Sequence, residues 1–241
     1  MCGRAQVFIR DGIYQLVDRA GVVHDTWPRE EWWRAYPWEA RISGYNIAPT
    51  EQLAVIHEFN GDRHFTPMTW WLTPHWSDGP SQKYAMFNAR AENLEKSRAY
   101  KGPFQYRRAI IPINAFYEWR SEGGKRMPYK IAAEEGVFAM AGVWDSWSDG
   151  TQEIMSCSII TTEATEAFKT IHNRMPVILD WDTFDQWLDA KSDLSEIRKL
   201  LVPYEKPLKV TPMNPKMSNA RVKEEPEPID NTEFLVAGSK T

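Results

Sequence analysis

Apolar residues fall in short runs along most of the chain, and only a few stretches keep helical spacing. Residues 53–59 and 64–71 are two such runs joined across Asn60-Gly61, a pair that favours a tight antiparallel hairpin. Residues 109–113, 115–120, 129–132, 137–147 and 153–161 are rich in β-branched and aromatic side chains, with short connections that include Gly123-Gly124. A further strand is predicted at residues 4–9. Helical patterns are read at 13–20, 163–172 and 181–201, and another helix is predicted to start just after Asn88 and stop before Gly102-Pro103. Its N-terminus would offer an anion site. Residues 26–40 pack four tryptophans among charges and prolines and read as irregular, and the chain past Pro203 returns to extended, proline-broken sequence. Runs of strands with helices set apart predict an α+β fold with a curved, mostly antiparallel, barrel-like β core flanked by helices. No repeat or low-complexity linker divides the chain, so one domain is expected.

Composition narrows the functional classes. The 241 residues are 42% apolar and 26% charged with a formal net charge of −4, the mix of a soluble globular protein. No apolar run has the length of a membrane span, and the start Met1-Cys2-Gly3-Arg4 lacks the pattern of a secretory signal, so a cytoplasmic protein is expected. Two cysteines, Cys2 and Cys157, and five dispersed histidines give neither a disulfide framework nor a metal-ligand pattern; no metal or cofactor is expected. The acidic balance hides one basic window. From Ser81 to Ile110, Lys83, Arg90, Lys96, Arg98, Lys101, Arg107 and Arg108 face only Glu92 and Glu95, a local charge of 7 − 2 = +5. That window is either a phosphate-binding surface or an ordinary solvated face.

Cys2 carries the most informative chemistry. A small second residue permits removal of Met1, which leaves a chain that begins with cysteine. Its α-amine, with a pKa of roughly 7.7 to 8.0, is partly neutral near pH 7, unlike a lysine amine. An amine condenses with an aldehyde to an imine, and the adjacent thiol can close on the same carbon to give a five-membered thiazolidine. Alternatively, the thiolate serves as an acyl-transfer nucleophile with the terminal amine as its base. In the third reading Cys2 is simply a small buried residue.

Five ordered motifs bear on that choice: Met1-Cys2-Gly3-Arg4, Gly44-Tyr45-Asn46-Ile47-Ala48-Pro49-Thr50, Phe87-Asn88-Ala89-Arg90-Ala91-Glu92, Phe116-Tyr117-Glu118-Trp119 and Ile171-His172-Asn173-Arg174-Met175-Pro176. Together they resemble the SOS response-associated peptidase (SRAP) family of abasic-site processing proteins, up to about residue 225, which implies a domain over residues 1–225 and a polar tail over 226–241. The resemblance implies a sensor of abasic sites in single-stranded DNA, which forms a thiazolidine crosslink through its N-terminal cysteine and shields the lesion during the DNA damage response. It further implies that Cys2 forms the bond, Asn88 orients it and the sugar, Glu118 transfers protons and His172 lies near the sugar and its phosphate. A carboxylate and an imidazole suit the proton transfers of imine formation. The alternatives are an N-terminal-cysteine peptidase or amidohydrolase, in its narrowest form one that acts only on its own Met1, and a non-covalent single-strand binding module.

For the DNA, the resemblance puts Arg4, Arg90 and Arg98 on the phosphate backbone and gives Trp76 the place of an aromatic that stacks or wedges beside the lesion. The sequence departs here from a frequent double-tryptophan pattern, since Ser77 follows Trp76. Most other tryptophans are expected in the core. His24, His57 and His64 are read as structural, and Cys157 as a buried strand residue. A monomer without membrane association is expected.

Overall fold

The computed structural model describes residues 2–8, 11–22, 43–134, 136–230 and 232–237. The irregular stretch at 26–40 and His24 lie outside the described residues. In chain order the elements are β1 (Ala5–Val7), α1 (Asp11–Arg19), β2 (Gly44–Ile47), β3 (Gln52–Phe59), β4 (Asp62–Thr69), β5 (Asn88–Arg90), α2 (Lys101–Tyr106), β6 (Arg108–Ile113), β7 (Ala115–Glu122), β8 (Lys125–Ala133), β9 (Phe138–Ser148), β10 (Glu153–Glu163), β11 (Arg174–Pro176), α3 (Phe184–Leu188), α4 (Leu194–Lys199), β12 (Leu208–Pro212) and β13 (Phe234–Val236). This is the expected α+β class.

Two sheets organise the molecule. One is a closed ring in which β10 pairs with β4, β4 with β3, β3 with β6, β6 with β9, and β9 again with β10. Closure removes the unpaired edges that an open sheet would present. The long β9 and β10 make it possible, and Gly142 lies on β9 opposite both Ala109 of β6 and Ile159 of β10. A Cβ there would stand 2.7 Å from Ile111 Cδ1 and 3.1 Å from the Ser158 carbonyl, so any larger side chain would press on both β6 and β10. The β3–β4 hairpin turns at Asn60 and Gly61 with φ of 54° and 88°, the left-handed pair that a two-residue turn between twisted strands requires.

The second sheet runs β13-β12-β8-β7-β1-β2 and is antiparallel throughout. Residues 234–236, beyond the expected domain boundary, extend it by pairing with β12. A large apolar cluster fills the space between the sheets, where the Phe116 ring of β7 meets Phe138 of β9 at 5.7 Å and Phe168 at 6.2 Å. Helix α1 closes this core with Ile13, Leu16 and Val17, buried on one face, and Ala20 just past its end is buried as well.

Three helical expectations differ from the structure. After Asn88 the chain remains extended as β5, makes a 3-10 turn at Ala91–Asn93 and enters α2 only at Lys101, so Gly102-Pro103 lies inside a helix. Proline is tolerated there because a first-turn N–H has no helical partner. The anion site predicted at a helix beginning after Asn88 therefore does not exist. The pattern at 163–172 reduces to a 3-10 turn at Phe168–Thr170, because β10 continues through Glu163. The 181–201 pattern breaks into a 3-10 turn, α3 and α4, with Asp193 capping α4 by accepting from Ser195 N at 2.8 Å. Arg108, counted in the basic window, points inward instead. It is 1% exposed and donates to the carbonyls of Phe104, Gln105, Trp187 and Asp189, tying α2 and α3 to the barrel.

Candidate active site

Four sequence-predicted residues meet where the two sheets abut. Cys2 precedes β1 and Glu118 lies on β7 of the six-stranded sheet, while Asn88 on β5 and His172 before β11 come from the barrel side. The register explains the meeting. Ala5 pairs with Phe116, which sets the N-terminal strand beside the Glu118 strand, and β5 pairs with β10 at Asn88 opposite Ile159. Asn88 then bridges the sheets, its Nδ2 donating to the Cys2 carbonyl at 2.7 Å. Loss of that donor would leave a buried carbonyl unsatisfied, at a cost of about 1–3 kcal/mol. Asn88 Oδ1 is buried and has no hydrogen-bond partner among the described residues, which leaves an acceptor beside the Cys2 main chain.

Cys2 is fully buried. Burial pushes its thiol well above the ordinary cysteine range, and the Glu118 charge pushes in the same direction; the thiol lies 3.8 Å from the Arg4 carbonyl. Glu118 is 1% exposed. Burial likewise raises its carboxyl above the usual carboxylate range, with the His172 charge among the opposing influences. Cys2, Glu118 and His172 thus form an electrostatically coupled series, with Glu118 between thiol and imidazole. A carboxyl shifted upward this way exchanges protons closer to neutral pH than a solvated one.

His172 is oriented by a residue that sequence reasoning missed. Its Nδ1 lies 2.9 Å from the Arg174 N–H and 3.0 Å from the Arg174 carbonyl, so Nδ1 has a backbone partner whether it accepts or donates. Arg174 is in turn fixed by bonds to both Glu92 oxygens, at 2.8 and 3.0 Å, and to the Thr161 carbonyl at 2.6 Å. Its place in the His172-Asn173-Arg174 motif was the available signal.

The proposed DNA-contacting residues have the following surroundings. Arg4 donates to the carbonyls of Gly3 at 2.8 Å and Ser218 at 3.3 Å, and its guanidinium lies 5.9 Å from the Trp119 ring centre. Trp76 is 42% exposed and the Arg98 guanidinium sits 3.9 Å above its ring, so the two predicted residues form one stack. Arg90 is exposed at the end of β5. Within the basic window, Arg107 pairs with Asp145 at 3.2 Å, and Glu92 and Glu95 are taken up by Arg174 and Arg198. Lys83, Arg90, Lys96, Arg98 and Lys101 make no ion pair among the described residues. Cys157 is fully buried on β10 and far from reactive, its thiol also raised by burial, and His57 is buried with its pKa lowered to about 4 by burial. Among the described residues no group of three or more His, Cys, Asp or Glu could hold a metal ion, and no helix is long and apolar enough to cross a membrane.

Fold and site together define an α+β protein in which Cys2, close to the start of the chain, lies with Asn88, Glu118 and His172 where the two sheets meet. The chain belongs to the SOS response associated peptidase (SRAP) family, which it matches over residues 1–220. It is similar to the abasic site processing protein YoaM of Bacillus subtilis, 36% identical over 165 residues that cover 67% of this chain and 73% of that protein. The abasic site processing protein HMCES of Gallus gallus is 33% identical over 173 residues, 61% of this chain and 52% of that protein. An X-ray structure of a protein from Bacteroides thetaiotaomicron shares the fold with a TM-score of 0.73 at 24% identity, over 89% of this chain and 93% of that one.

Proposed function

We propose that this protein processes abasic sites in single-stranded DNA by capturing them covalently through Cys2 once Met1 has been removed. The observation that carries the reading is the grouping of Cys2, Asn88, Glu118 and His172 within a member of a family whose similar proteins are named for abasic-site processing. In the first step the Cys2 α-amine attacks the C1′ aldehyde of the ring-opened deoxyribose. The carbinolamine loses water to an imine, with Glu118 passing the nitrogen proton to the leaving oxygen. In the second step the thiol adds across the imine, sulfur bonding to C1′ and its proton passing to nitrogen. One water leaves overall and no oxidant is needed.

The electrostatics favour this order. A thiol held in its neutral form by burial is a poor thiolate, which disfavours the acyl-transfer role of a peptidase, whereas amine attack needs no thiolate. The unsatisfied Asn88 Oδ1 is an acceptor for the attacking amine or a sugar hydroxyl. Arg4, Arg90, Arg98 and Trp76 supply the cations and stacking surface that a sequence-tolerant single-strand binder uses. The reading treats residues 1–225 as the functional domain and the protein as a monomer.

The test compares three single-stranded oligonucleotides: one with an abasic site, one intact, and one with an abasic analogue lacking the aldehyde. Protein without Met1 should give a heat-stable band on denaturing electrophoresis with the first only. Bands with all three, or with none, would overturn the reading.

A further inference from the structure

The Gly44–Thr50 motif contributes no group to the chemistry above, yet Asn46 is among the most constrained polar residues in the protein. It lies on β2, the edge strand of the six-stranded sheet, and is 1% exposed. Its Nδ2 donates to three carbonyls of one distant segment: Met217 at 2.9 Å, Asn219 at 3.1 Å and Val222 at 2.9 Å. Two N–H bonds serve three acceptors, which is the full capacity of an amide nitrogen with one bond shared. The same segment is held by Lys223, whose Nζ donates to the Asn46 carbonyl at 2.8 Å and to both Glu51 oxygens at 2.8 and 2.7 Å. Met217 anchors it from inside, packed with Tyr117 and Met213.

Residues 217–222 form a strap whose Ser218 reaches the site from outside. The Ser218 carbonyl accepts from Arg4 Nη2 at 3.3 Å, and its hydroxyl accepts from Trp119 Nε1 at 2.9 Å. Arg4 and Trp119 immediately flank the chemistry, two residues from Cys2 and one from Glu118. Cys2 itself is held independently, by Asn88.

We propose that Asn46 is a positioning residue: by clamping the 217–222 strap it sets Ser218, and through Ser218 it orients the Arg4 guanidinium for a phosphate of the bound strand. The inference rests on the proposed function. Because Asn46 acts through Arg4 and not through Cys2, its loss should appear in DNA affinity and not in the rate of bond formation once DNA is bound.

The test is a double-mutant cycle on the full chain without Met1, with binding to an intact single-stranded oligonucleotide read by fluorescence anisotropy and crosslinking of an abasic oligonucleotide read by single-turnover kinetics. Asn46→Ala should raise the half-saturating DNA concentration about tenfold, the scale of one lost charge-assisted contact, and leave the saturating crosslinking rate within about twofold. In an Arg4→Ala background the same substitution should change affinity by less than about twofold, a coupling that a general loss of stability would not produce. A full tenfold effect in the Arg4→Ala background, or a fall confined to the saturating rate, would overturn the assignment. Lys223→Ala loosens the same strap from a half-exposed position and should show a smaller effect that also vanishes with Arg4→Ala. If Asn46→Ala does not fold, Lys223→Ala carries the cycle, and no coupling to Arg4 there overturns it. A wild type that binds single strands but forms no adduct refutes covalent capture while leaving the binding cycle readable. A wild type that binds none refutes both.

Discussion

Replacing Glu118 by glutamine removes one exchangeable proton from the centre of the site and little else. The side chain keeps its size and stays in a 1% exposed position on β7. In the wild type, burial holds the carboxyl above its usual range, which favours its protonated form and suits it to give a proton as well as take one. Glutamine does neither. The expected loss is that of one general acid–base group at the low end of the usual range, roughly 10²-fold in the crosslinking rate, or about 2.7 kcal/mol of barrier. Affinity for intact single strands should hardly change, because Glu118 makes no phosphate contact in this account. Release of a preformed adduct should slow equally, since ring opening retraces ring closure. Stability supplies a second readout. A carboxyl whose folded pKa is raised stabilises the protein fully only below the unfolded value, about 4.3, and that contribution is lost as pH rises through the folded pKa. The melting temperature of Glu118→Gln relative to wild type should therefore climb as pH increases from about 4 toward neutrality. Single-turnover time courses with pre-bound abasic DNA decide the kinetic part. A variant that crosslinks at the wild-type rate would remove Glu118 from the mechanism.

Three further outcomes follow from the same structure. Cys2→Ser and Cys2→Ala should give no heat-stable adduct without a reductant, because the ring needs both amine and thiol; wild-type yield from either on denaturing gels would refute ring closure. Arg90→Ala and Arg98→Ala should each weaken binding to single strands of any sequence and reduce the salt slope by about one phosphate equivalent, and titrations that give the wild-type slope would make the basic window a solvated face. Gly142→Ala should lower stability by about 1–3 kcal/mol in denaturant melts, because its Cβ would press on Ile111 and the Ser158 carbonyl where the barrel closes, and an unchanged midpoint would refute that close approach.

Strand content was legible because it is encoded locally. The run from Ala109 to Thr161 alternates or saturates with β-formers between short turns, and Asn60-Gly61 and Gly123-Gly124 adopt the positive φ that marks a hairpin. A barrel-like core was legible, but the pairing that closes it was not, since it depends on β10 pairing with both β4 and β9, a non-local choice that periodicity does not record. The helix expected after Asn88 illustrates the same limit. Good helix formers from Ala89 onward are overridden by pairing of β5 with β10, which sets Asn88 against Cys2. Cys2, Asn88, Glu118 and His172 were found through their motifs. Arg174 and Asn46 escaped notice because their roles consist of backbone carbonyls and carboxylates brought in from distant segments.

The most direct test of covalent capture is the intact mass of the product formed with a single-stranded oligonucleotide carrying one abasic site, measured without reductant after heating. The account predicts one species at the mass of the protein lacking Met1 plus the oligonucleotide minus one water, and none when Met1 is retained and the Cys2 amine lies in a peptide bond. An adduct of the Met1-retaining chain, or one that survives only after borohydride reduction, would contradict it.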